Sequence, residues 1–234
     1  MKFNRVPKHV GIILDGNRTF AKRLMLKPWK GHEWGARKVE KLLEWCIELK
    51  IKELTLYAFS IYNFNRPKKE FDFLMNLFEK EFKRIKNDER IFKNKIKLNF
   101  IGRTWMFPEK VQKEMKELVK LTKNHDNLIV NFAMAYGGKT EVIDAVKKIA
   151  EQVKEGELDI NKINEETFGK NLYLNDNVDL IVRTSGQIRT SDFLPWQGAN
   201  AEWIFIEKCW PEFEKEDFIK CIKEYSNRER RFGR

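Results

Sequence analysis

The feature of this sequence that most constrains its fold is an alternation of short apolar runs with longer stretches of helical periodicity. Runs rich in branched and aromatic residues predict strands, and apolar residues spaced three and four apart predict amphipathic helices. The predicted strands are 10–14, 53–59, 96–101, 127–133, 179–182 and 202–207. The predicted helices lie near 18–26, 33–50, 68–86, 108–124, 139–155, 161–171 and 214–231. This order predicts an α/β fold with a single open, mainly parallel six-stranded sheet flanked by about seven helices.

Nothing in the sequence marks a boundary between domains. The 234 residues fit one α/β domain, and they contain no internal repeat, low-complexity tract or linker rich in proline, glycine and serine. We therefore expect one domain over residues 1–234. No apolar run approaches the roughly 18 residues of a spanning helix, and the first residues lack the apolar core of a signal peptide. These features predict a cytoplasmic protein.

The charge balance indicates an anionic partner without identifying it. Lysine and arginine number 46 against 35 acids, which gives a formal net charge of +11. Nucleic acid, a membrane surface and a phosphorylated small molecule would all fit this excess. Much of the charge is lysine mixed with glutamate on predicted helices, which is typical of a solvated face. The three cysteines and three histidines are scattered, so neither a disulfide framework nor a zinc site is predicted.

A polar segment follows the first predicted strand, at the place where open parallel sheets bind ligands. There the sequence reads Asp15-Gly16-Asn17-Arg18. The aspartate suits Mg²⁺ held against phosphate oxygens, and the glycine lets an anion approach backbone N–H groups at the start of a helix. Helix capping by Asp15 or Asn17 explains the same residues equally well.

Two further polar segments follow the second and fifth predicted strands. SIYNFNRP at 60–67 supplies two amides and an arginine, although Asn63 and Asn65 also suit a simple turn. RTSGQIRTS at 183–191 supplies two arginines, hydroxyls and a glycine, which predicts a diphosphate cradle. Glu202, at the start of the sixth predicted strand, is a candidate second metal carboxylate, with a strand-edge surface charge as the alternative.

One segment resembles a nucleotide-binding loop. AMAYGGKT at 133–140 nearly matches GxxxxGK[ST], but Ala133 stands where that loop needs glycine. The acidic motif at Asp15 would also precede the loop, which is the unusual order. A nucleotide hydrolase is therefore disfavoured, and Gly137 and Gly138 predict a tight strand-to-helix turn.

Six segments, taken together and in this order, resemble the cis-prenyltransferases, the undecaprenyl diphosphate synthase family. They are HVGIILDGNRTFAK, LTLYAFSIYNFNRP, NFAMAYGGKTEVIDA, DLIVRTSGQIRTSDFLPWQ, AEWIFIEKCWPEF and NRERRFG. The resemblance implies a homodimeric α/β enzyme that adds isopentenyl diphosphate units, as cis double bonds, to an allylic primer diphosphate. It also implies an apolar product tunnel between the sheet and helices 33–50 and 68–86. The chain lacks the DDxxD motif of the all-helical trans-prenyltransferases.

The resemblance also implies roles for individual residues. Asp15 is implied to be catalytic and to bind Mg²⁺, and Glu202 to be a second metal carboxylate. Asn63 matches an asparagine that takes part in proton removal; because a neutral amide is a poor base, we expect it to position the group that accepts the proton. The implied substrate-binding residues are Gly16, Asn17, Arg18, Thr19, Phe20, Lys27, His32, Ser60, Ile61, Tyr62, Phe64, Arg66, Arg183, Arg189, Thr190, Ser191, Arg231 and Gly233. Among them, Arg183, Arg189 and Ser191 match the isopentenyl diphosphate site. Arg231 and Gly233 match an element that reaches across the dimer.

Several positions depart from the bacterial pattern of this family. The arginine after the Asp-Gly-Asn triplet is one place earlier, at Arg18, and Phe20 replaces a tryptophan. A second phosphate-binding arginine is missing, and Lys27 or Lys30 is the candidate replacement. Ile188 stands where the family has a histidine near the metal. These changes resemble archaeal or eukaryotic relatives and suggest a primer other than farnesyl diphosphate, for instance geranylgeranyl diphosphate.

Two functions other than a homodimeric synthase are compatible with parts of the sequence. A non-catalytic partner subunit of the same family is disfavoured, because Asp15, Asn63 and the cradle arginines are all present. A basic nucleic-acid-binding protein would fit a pI of about 9.4 and seven tryptophans, but the motifs favour diphosphate substrates over nucleic acid. Because the product is a lipid, we expect light association with a membrane face, served by part of the +11 charge.

Overall fold

The computed structural model describes residues 3–229, and at its centre lies a six-stranded sheet in which every strand pair is parallel. The spatial order is β3-β4-β2-β1-β5-β6. The strands are β1 His9–Ile13, β2 Glu53–Ser60, β3 Ile96–Ile101, β4 Leu128–Tyr136, β5 Leu180–Arg183 and β6 Glu202–Phe205. The predicted α/β class and all six predicted strands are confirmed, and the sheet is wholly rather than mainly parallel.

Eight helices, within the described range, cover the sheet. They are α1 Asn17–Arg23, α2 Gly31–Glu48, α3 Lys68–Lys86, α4 Glu89–Lys93, α5 Glu109–Thr122, α6 Gly138–Lys154, α7 Glu165–Asn171 and α8 Lys215–Asn227. The sequence missed α4, because five residues are too few to show a helical period. The final helix ends at Asn227. Arg231 and Gly233, which the resemblance implied to bind substrate, lie outside the described residues. Among the helices described, none is long and apolar enough to span a membrane.

The sheet carries a hydrophobic core on each face. Val10 and Ile12 of β1 belong to the larger core, together with Leu42 of α2 and Leu74 of α3. Ile13, on the opposite face, belongs to the smaller core. This division follows from the two-residue period of a strand. The apolar faces of α2 and α3 therefore pack against the larger core.

A polar network is buried between strands at the end of the sheet away from the ligand-binding edge. His9 Nε2 lies 2.8 Å from Thr55 Oγ1, and His9 Nδ1 lies 3.1 Å from the Asn177 carbonyl oxygen. The Asn131 amide donates to Glu53 Oε1 at 2.7 Å and to Thr55 Oγ1 at 3.1 Å. Burial lowers the pKa of His9 from 6.5 to about 4. The network therefore holds a neutral imidazole.

This network predicts that acid destabilises the fold. Below pH 6.5 the unfolded chain protonates His9 while the folded chain does not, so stability falls as the pH drops towards about 4. The loss from His9 alone is about 2 kcal/mol at pH 5. Urea unfolding at pH 7 and pH 5 should show a smaller loss for His9→Gln than for the wild type. Equal losses in the two proteins would contradict this role.

Candidate active site

Asp15 lies two residues beyond β1, and its carboxylate is held on two sides. The Gly16 N–H donates to Oδ1 at 2.8 Å, and Arg183 Nη2 donates to Oδ2 at 2.8 Å. The Asp15 carbonyl oxygen accepts from the Trp210 N–H at 2.8 Å and from Thr184 Oγ1 at 2.7 Å. The side chain is still 34% exposed. The carboxylate is thus fixed in direction and accessible from outside.

The turn from β1 into α1 decides between the two interpretations of this segment. Gly16 has φ 99°, and a Cβ there would lie 2.8 Å from Cys209, so only glycine fits. Neither Asp15 nor Asn17 caps α1 through its side chain. Instead Asn17 Nδ2 donates to the Leu14 carbonyl oxygen at 2.9 Å, and Asn17 Oδ1 is buried with no hydrogen-bond partner in the described chain. Capping of α1 therefore does not account for these residues.

Positive charge gathers beside Asp15. Arg66 Nη1 lies 3.2 Å from Glu70 Oε1, and Arg18 Nε lies 3.7 Å from the same oxygen. His32 Nε2 lies 3.4 Å from Arg66 Nη1. Burial, with Arg66 and Arg18 nearby, lowers the pKa of His32 to about 3, so its neutral ring accepts from Arg66. A polar pocket of about 340 Å³ is lined by Arg18, His32 and Arg66 together with Asp15, Gly16, Asn17, Thr19 and Lys22.

Glu70 is a site residue that sequence reasoning missed. It is only 2% exposed and pairs with both Arg66 and Arg18. The sequence gives a weak signal, because an acid in the first turn of a helix such as α3 is already explained by the helix dipole. Its buried carboxylate holds two cations at the edge of the pocket.

The segment after β2 forms a short 3₁₀ helix, Ile61–Asn65, that Ser60 and Asn63 cap reciprocally. Asn63 Oδ1 accepts from the Ser60 N–H at 3.0 Å, and Ser60 Oγ accepts from the Tyr62 N–H at 3.2 Å. The alternative prediction, that the Asn63 side chain stabilises a turn, is therefore confirmed by these hydrogen bonds. Ser60 and Asn63 nevertheless also line the cavity described below.

Four other residues that the resemblance implied to bind substrate, namely Phe20, Ile61, Tyr62 and Phe64, do not line the cavity. Tyr62 is 61% exposed, and the Phe64 ring packs edge-to-face on Phe59 with centroids 5.1 Å apart. Phe20 packs edge-to-face on Trp34, with centroids 5.9 Å apart. None of these three rings, nor Ile61, lines either pocket described here.

Arg183 ends β5 and organises the loop that follows it. It is 3% exposed, and its Nη1 donates to the Arg189 carbonyl oxygen at 2.5 Å and to Ser191 Oγ at 2.7 Å. Ser185 and Ser191 adopt positive φ values of 76° and 50°, which indicates a constrained loop. The side chains of Gln187, Ile188, Arg189, Thr190 and Ser191 are exposed. Arg183 thus ties Asp15 to an exposed loop that carries the second arginine.

Glu202 is not brought to this site within one chain. It begins β6, whereas Asp15 follows the end of β1, and parallel strands begin and end at opposite edges of a sheet. Glu202 Oε2 instead accepts from Arg228 Nη1 at 2.7 Å. The described residues contain no group of three His, Cys, Asp or Glu that could hold a metal ion. The position favours the strand-edge alternative for Glu202.

The Gly137-Gly138 segment forms the expected strand-to-helix turn. The Gly138 N–H donates to the Asp192 carbonyl oxygen at 2.8 Å, and the Lys139 N–H donates to Asp192 Oδ1 at 2.9 Å. A Cβ at Gly138 would lie 2.1 Å from Pro195 Cδ. The start of α6 is therefore filled by the chain itself, which leaves no room for a nucleotide phosphate.

A deep cavity of about 290 Å³ begins at Asp15 and runs between the sheet and helices α2 and α3. Its mouth is polar and brings together Asp15, Asn17, His32, Ser60, Asn63, Arg66 and Arg183. Its middle is apolar and is lined by Val39, Leu43, Leu74, Phe78, Phe82 and Phe132, among others. A charged head group with an apolar tail would fit this arrangement.

Known proteins are similar to this chain in sequence and fold. The family model described as "Putative undecaprenyl diphosphate synthase" matches residues 13–233. A "Tritrans,polycis-undecaprenyl-diphosphate synthase (geranylgeranyl-diphosphate specific)" of Methanopyrus kandleri is 48% identical over 100% of this chain and 87% of its own length. An "Isoprenyl transferase" of Thermus thermophilus is 42% identical over 100% of this chain and 91% of its own length.

Solved structures agree with the sequence comparisons. Lavandulyl diphosphate synthase from Lavandula x intermedia, in complex with dimethylallyl diphosphate, has a TM-score of 0.93 and 33% identity, covering 98% of this chain and 99% of that one. A probable undecaprenyl diphosphate synthase from Campylobacter jejuni has a TM-score of 0.82 and 35% identity, covering 98% of this chain and 100% of that one. The chain therefore belongs to the undecaprenyl diphosphate synthase family, the cis-prenyltransferases.

Proposed function

We propose that this protein is a cis-polyprenyl diphosphate synthase that extends geranylgeranyl diphosphate with isopentenyl diphosphate to a long-chain product for a carrier lipid. The observation that carries the proposal is the position of Asp15 and Arg183 at the polar mouth of a deep apolar cavity. The choice of primer draws on relatives from Methanopyrus kandleri and Thermococcus kodakarensis, which are named as geranylgeranyl-diphosphate specific.

The two ends of the primer match the two parts of the cavity. We place the primer diphosphate near Arg18, Arg66 and His32, where two cations meet a neutral imidazole. The isoprenoid tail then occupies the apolar middle between α2 and α3. In this orientation the isopentenyl diphosphate would bind at the exposed loop that carries Arg189 and Ser191. Arg183 connects this loop to Asp15, because it donates hydrogen bonds to both.

In the proposed reaction, the allylic C–O bond of the primer breaks and its diphosphate leaves. The double bond of isopentenyl diphosphate then forms the new C–C bond, and loss of one proton restores a double bond. Arg18 and Arg66 would stabilise the charge that develops on the leaving diphosphate. Asn63, already fixed by its bond to the Ser60 N–H, would orient the group that accepts the proton.

The site fits Mg²⁺ as the metal. Asp15 offers one accessible, oriented carboxylate, and Mg²⁺ is typically bound by one or two carboxylates together with substrate phosphates. Asp15 would hold the ion without Glu202 of the same chain. When bound, Mg²⁺ would supply positive charge to the leaving group.

A primer panel tests the proposed function. The purified protein is incubated with labelled isopentenyl diphosphate, Mg²⁺ and dimethylallyl, geranyl, farnesyl or geranylgeranyl diphosphate, and product formation is followed. We expect the highest kcat/KM with geranylgeranyl diphosphate, and loss of turnover with EDTA that added Mg²⁺ restores. A preference for farnesyl diphosphate would refute the primer assignment, and no extension of any primer would refute the proposal as a whole.

We also propose contact with an anionic membrane surface through residues 22–27, KRLMLK. All six residues are exposed, and Met25 is 95% exposed between the apolar Leu24 and Leu26. Basic residues flank these apolar side chains, as in segments that bind anionic lipid. Lys22 also lines the polar pocket, so this contact would face the membrane close to the entrance of the site.

Vesicle sedimentation tests this contact. The wild type should sediment with phosphatidylglycerol vesicles more than with phosphatidylcholine vesicles, and Met25→Glu should reduce that binding. Ile160→Glu changes a residue that is 65% exposed elsewhere and serves as the control. Equal binding by wild type and Met25→Glu would refute the assignment. The homodimer implied by the resemblance is part of the same proposal and is checked by light scattering.

A further inference from the structure

The far end of the deep cavity is charged, although its middle is apolar. Six side chains line this end: Glu40, Glu44, Glu81, Arg84, Asp88 and Arg90. We call these six residues the ion-pair latch. They lie on α2, on the last turns of α3, and on α4 with the residue before it. None of them takes part in the contacts around Asp15 described above.

The latch ties α2 to α3 and α4. Arg90 Nη2 lies 2.6 Å from Glu40 Oε2, and Arg90 Nη1 lies 2.7 Å from Glu44 Oε1. Arg84 contacts the other oxygen of Glu40 and also pairs with Glu81. Burial raises the pKa of Glu40, but the hydrogen bonds from Arg84 and Arg90 outweigh it and keep the pKa below its usual value. Glu40 is therefore a charged bridge between two arginines.

The latch lies where an extending chain would reach it. His32 is at the mouth of the cavity, and Glu40 and Glu44 follow it on α2 by 8 and 12 residues (40 − 32 and 44 − 32). These offsets correspond to roughly 12 and 18 Å along the helix axis. Val39, Leu43 and Phe78 line the stretch between them. An apolar chain growing from the mouth would meet apolar walls first and charged groups afterwards.

The cavity is small for a long product. Its volume of about 290 Å³ lies just below the range of about 300–1,000 Å³ for ligand pockets. A product much longer than the primer would therefore press against the residues that line it. On the sheet side the lining consists of buried core residues such as Leu98 and Phe132. In the latch, Arg84 and Arg90 are 44% and 48% exposed, so their ion pairs form a solvent-facing part of the cavity wall.

We propose that the ion-pair latch closes the far end of the cavity and sets the upper limit of product length. This inference rests on the proposed synthase function. An apolar chain end cannot pair with the charged groups that it would separate, so further extension stops until the latch opens. The residues that determine product length are then Glu40, Arg84 and Arg90, which hold the two sides of the latch together.

The test compares product lengths in latch variants. Glu40→Gln removes the charge that bridges both arginines with little change in shape, and the double variant Arg84→Met with Arg90→Met removes the partners. Lys83→Met is the control, because Lys83 is on the same turn of α3 but pairs with Glu79 and does not line the cavity. Each full-length protein is given labelled isopentenyl diphosphate in excess, geranylgeranyl diphosphate and Mg²⁺. The products are then dephosphorylated and sized by chromatography.

We expect both latch variants to make products that are longer by at least one isoprene unit and more broadly distributed, while the rate of the first condensation stays the same. Lys83→Met should match the wild type. The proposal is overturned if Glu40→Gln incorporates isopentenyl units normally with an unchanged length distribution, or if Lys83→Met lengthens products equally. If the wild type incorporates no label, the proposed function itself fails, and that outcome is distinct from normal incorporation with unchanged lengths. Because Glu40→Gln is nearly isosteric, it decides the question even if the double variant does not fold.

Discussion

Replacing Asp15 by asparagine should lower kcat by about a thousandfold or more, on the scale of losing a principal electrostatic group at a reacting centre. Asparagine keeps the shape and can still accept from the Gly16 N–H, but it removes the negative charge that a metal ion needs. The side chain is 34% exposed, so the variant should still fold, with some loss of stability because the buried Arg183 loses its charged partner. Steady-state turnover with geranylgeranyl and isopentenyl diphosphates, with circular dichroism as the check of folding, measures both effects.

The matched control is Asp126→Asn, which removes an exposed aspartate just before β4, at the opposite edge of the sheet. It should keep wild-type turnover. If Asp15→Asn retained turnover close to that of Asp126→Asn, the role of Asp15 in metal binding would be wrong.

Replacing Arg183 by leucine should impair both stability and activity. The change leaves Asp15 Oδ2, Ser191 Oγ and the Arg189 carbonyl oxygen without their donor. Leaving such acceptors without a donor costs about 1–3 kcal/mol, so the melting temperature should fall by several degrees. The value of kcat/KM should fall by about a hundredfold or more, because Asp15 and the loop lose their common support.

The variant Arg189→Leu distinguishes structural support of the loop from direct binding of isopentenyl diphosphate. Arg189 is exposed, and its guanidinium contacts only Gln187 among the hydrogen bonds of the described residues. Its removal should raise the KM for isopentenyl diphosphate and leave the melting temperature unchanged. Calorimetry and kinetics on both variants give the comparison. A wild-type melting temperature for Arg183→Leu would show that Arg183 does not hold the loop.

The strands were predictable because each is a short buried run with polar residues at its end. The segment GIIL followed by Asp15 illustrates this, since β1 ends at Ile13 and the site begins two residues later. The same logic predicted that Asp15, Ser60 and Arg183 would lie at one edge of the sheet, and in the structure all three line one cavity.

The prediction with the least structural support is the metal-binding role of Glu202, because that role depends on which end of a strand the residue occupies. Glu202 follows the family motif in sequence, but it stands at the beginning of β6 and pairs with Arg228. A parallel sheet places such a residue at the edge opposite Asp15. The predicted start of the sixth strand at 202 already implied this position, whereas the metal role came from the family motif alone.

Residues that act through distant partners could not be predicted from the sequence. Glu70 looks like an ordinary first-turn acid until Arg18, which is 52 positions earlier (70 − 18), is seen beside it. The ion-pair latch likewise joins Glu40 to Arg90 across 50 positions. Such pairs depend on how α2, α3 and α4 pack, and the periodicity of a single helix does not specify that packing.

The most direct test of the central proposal is the stereochemistry of the first product. The protein is incubated with geranylgeranyl diphosphate and ¹³C-labelled isopentenyl diphosphate, and the dephosphorylated product is analysed by NMR. A cis-polyprenyl synthase at this site predicts that every added unit carries a cis double bond, while the double bonds of the primer stay trans. Trans double bonds in the added units, or an unextended primer, would contradict it.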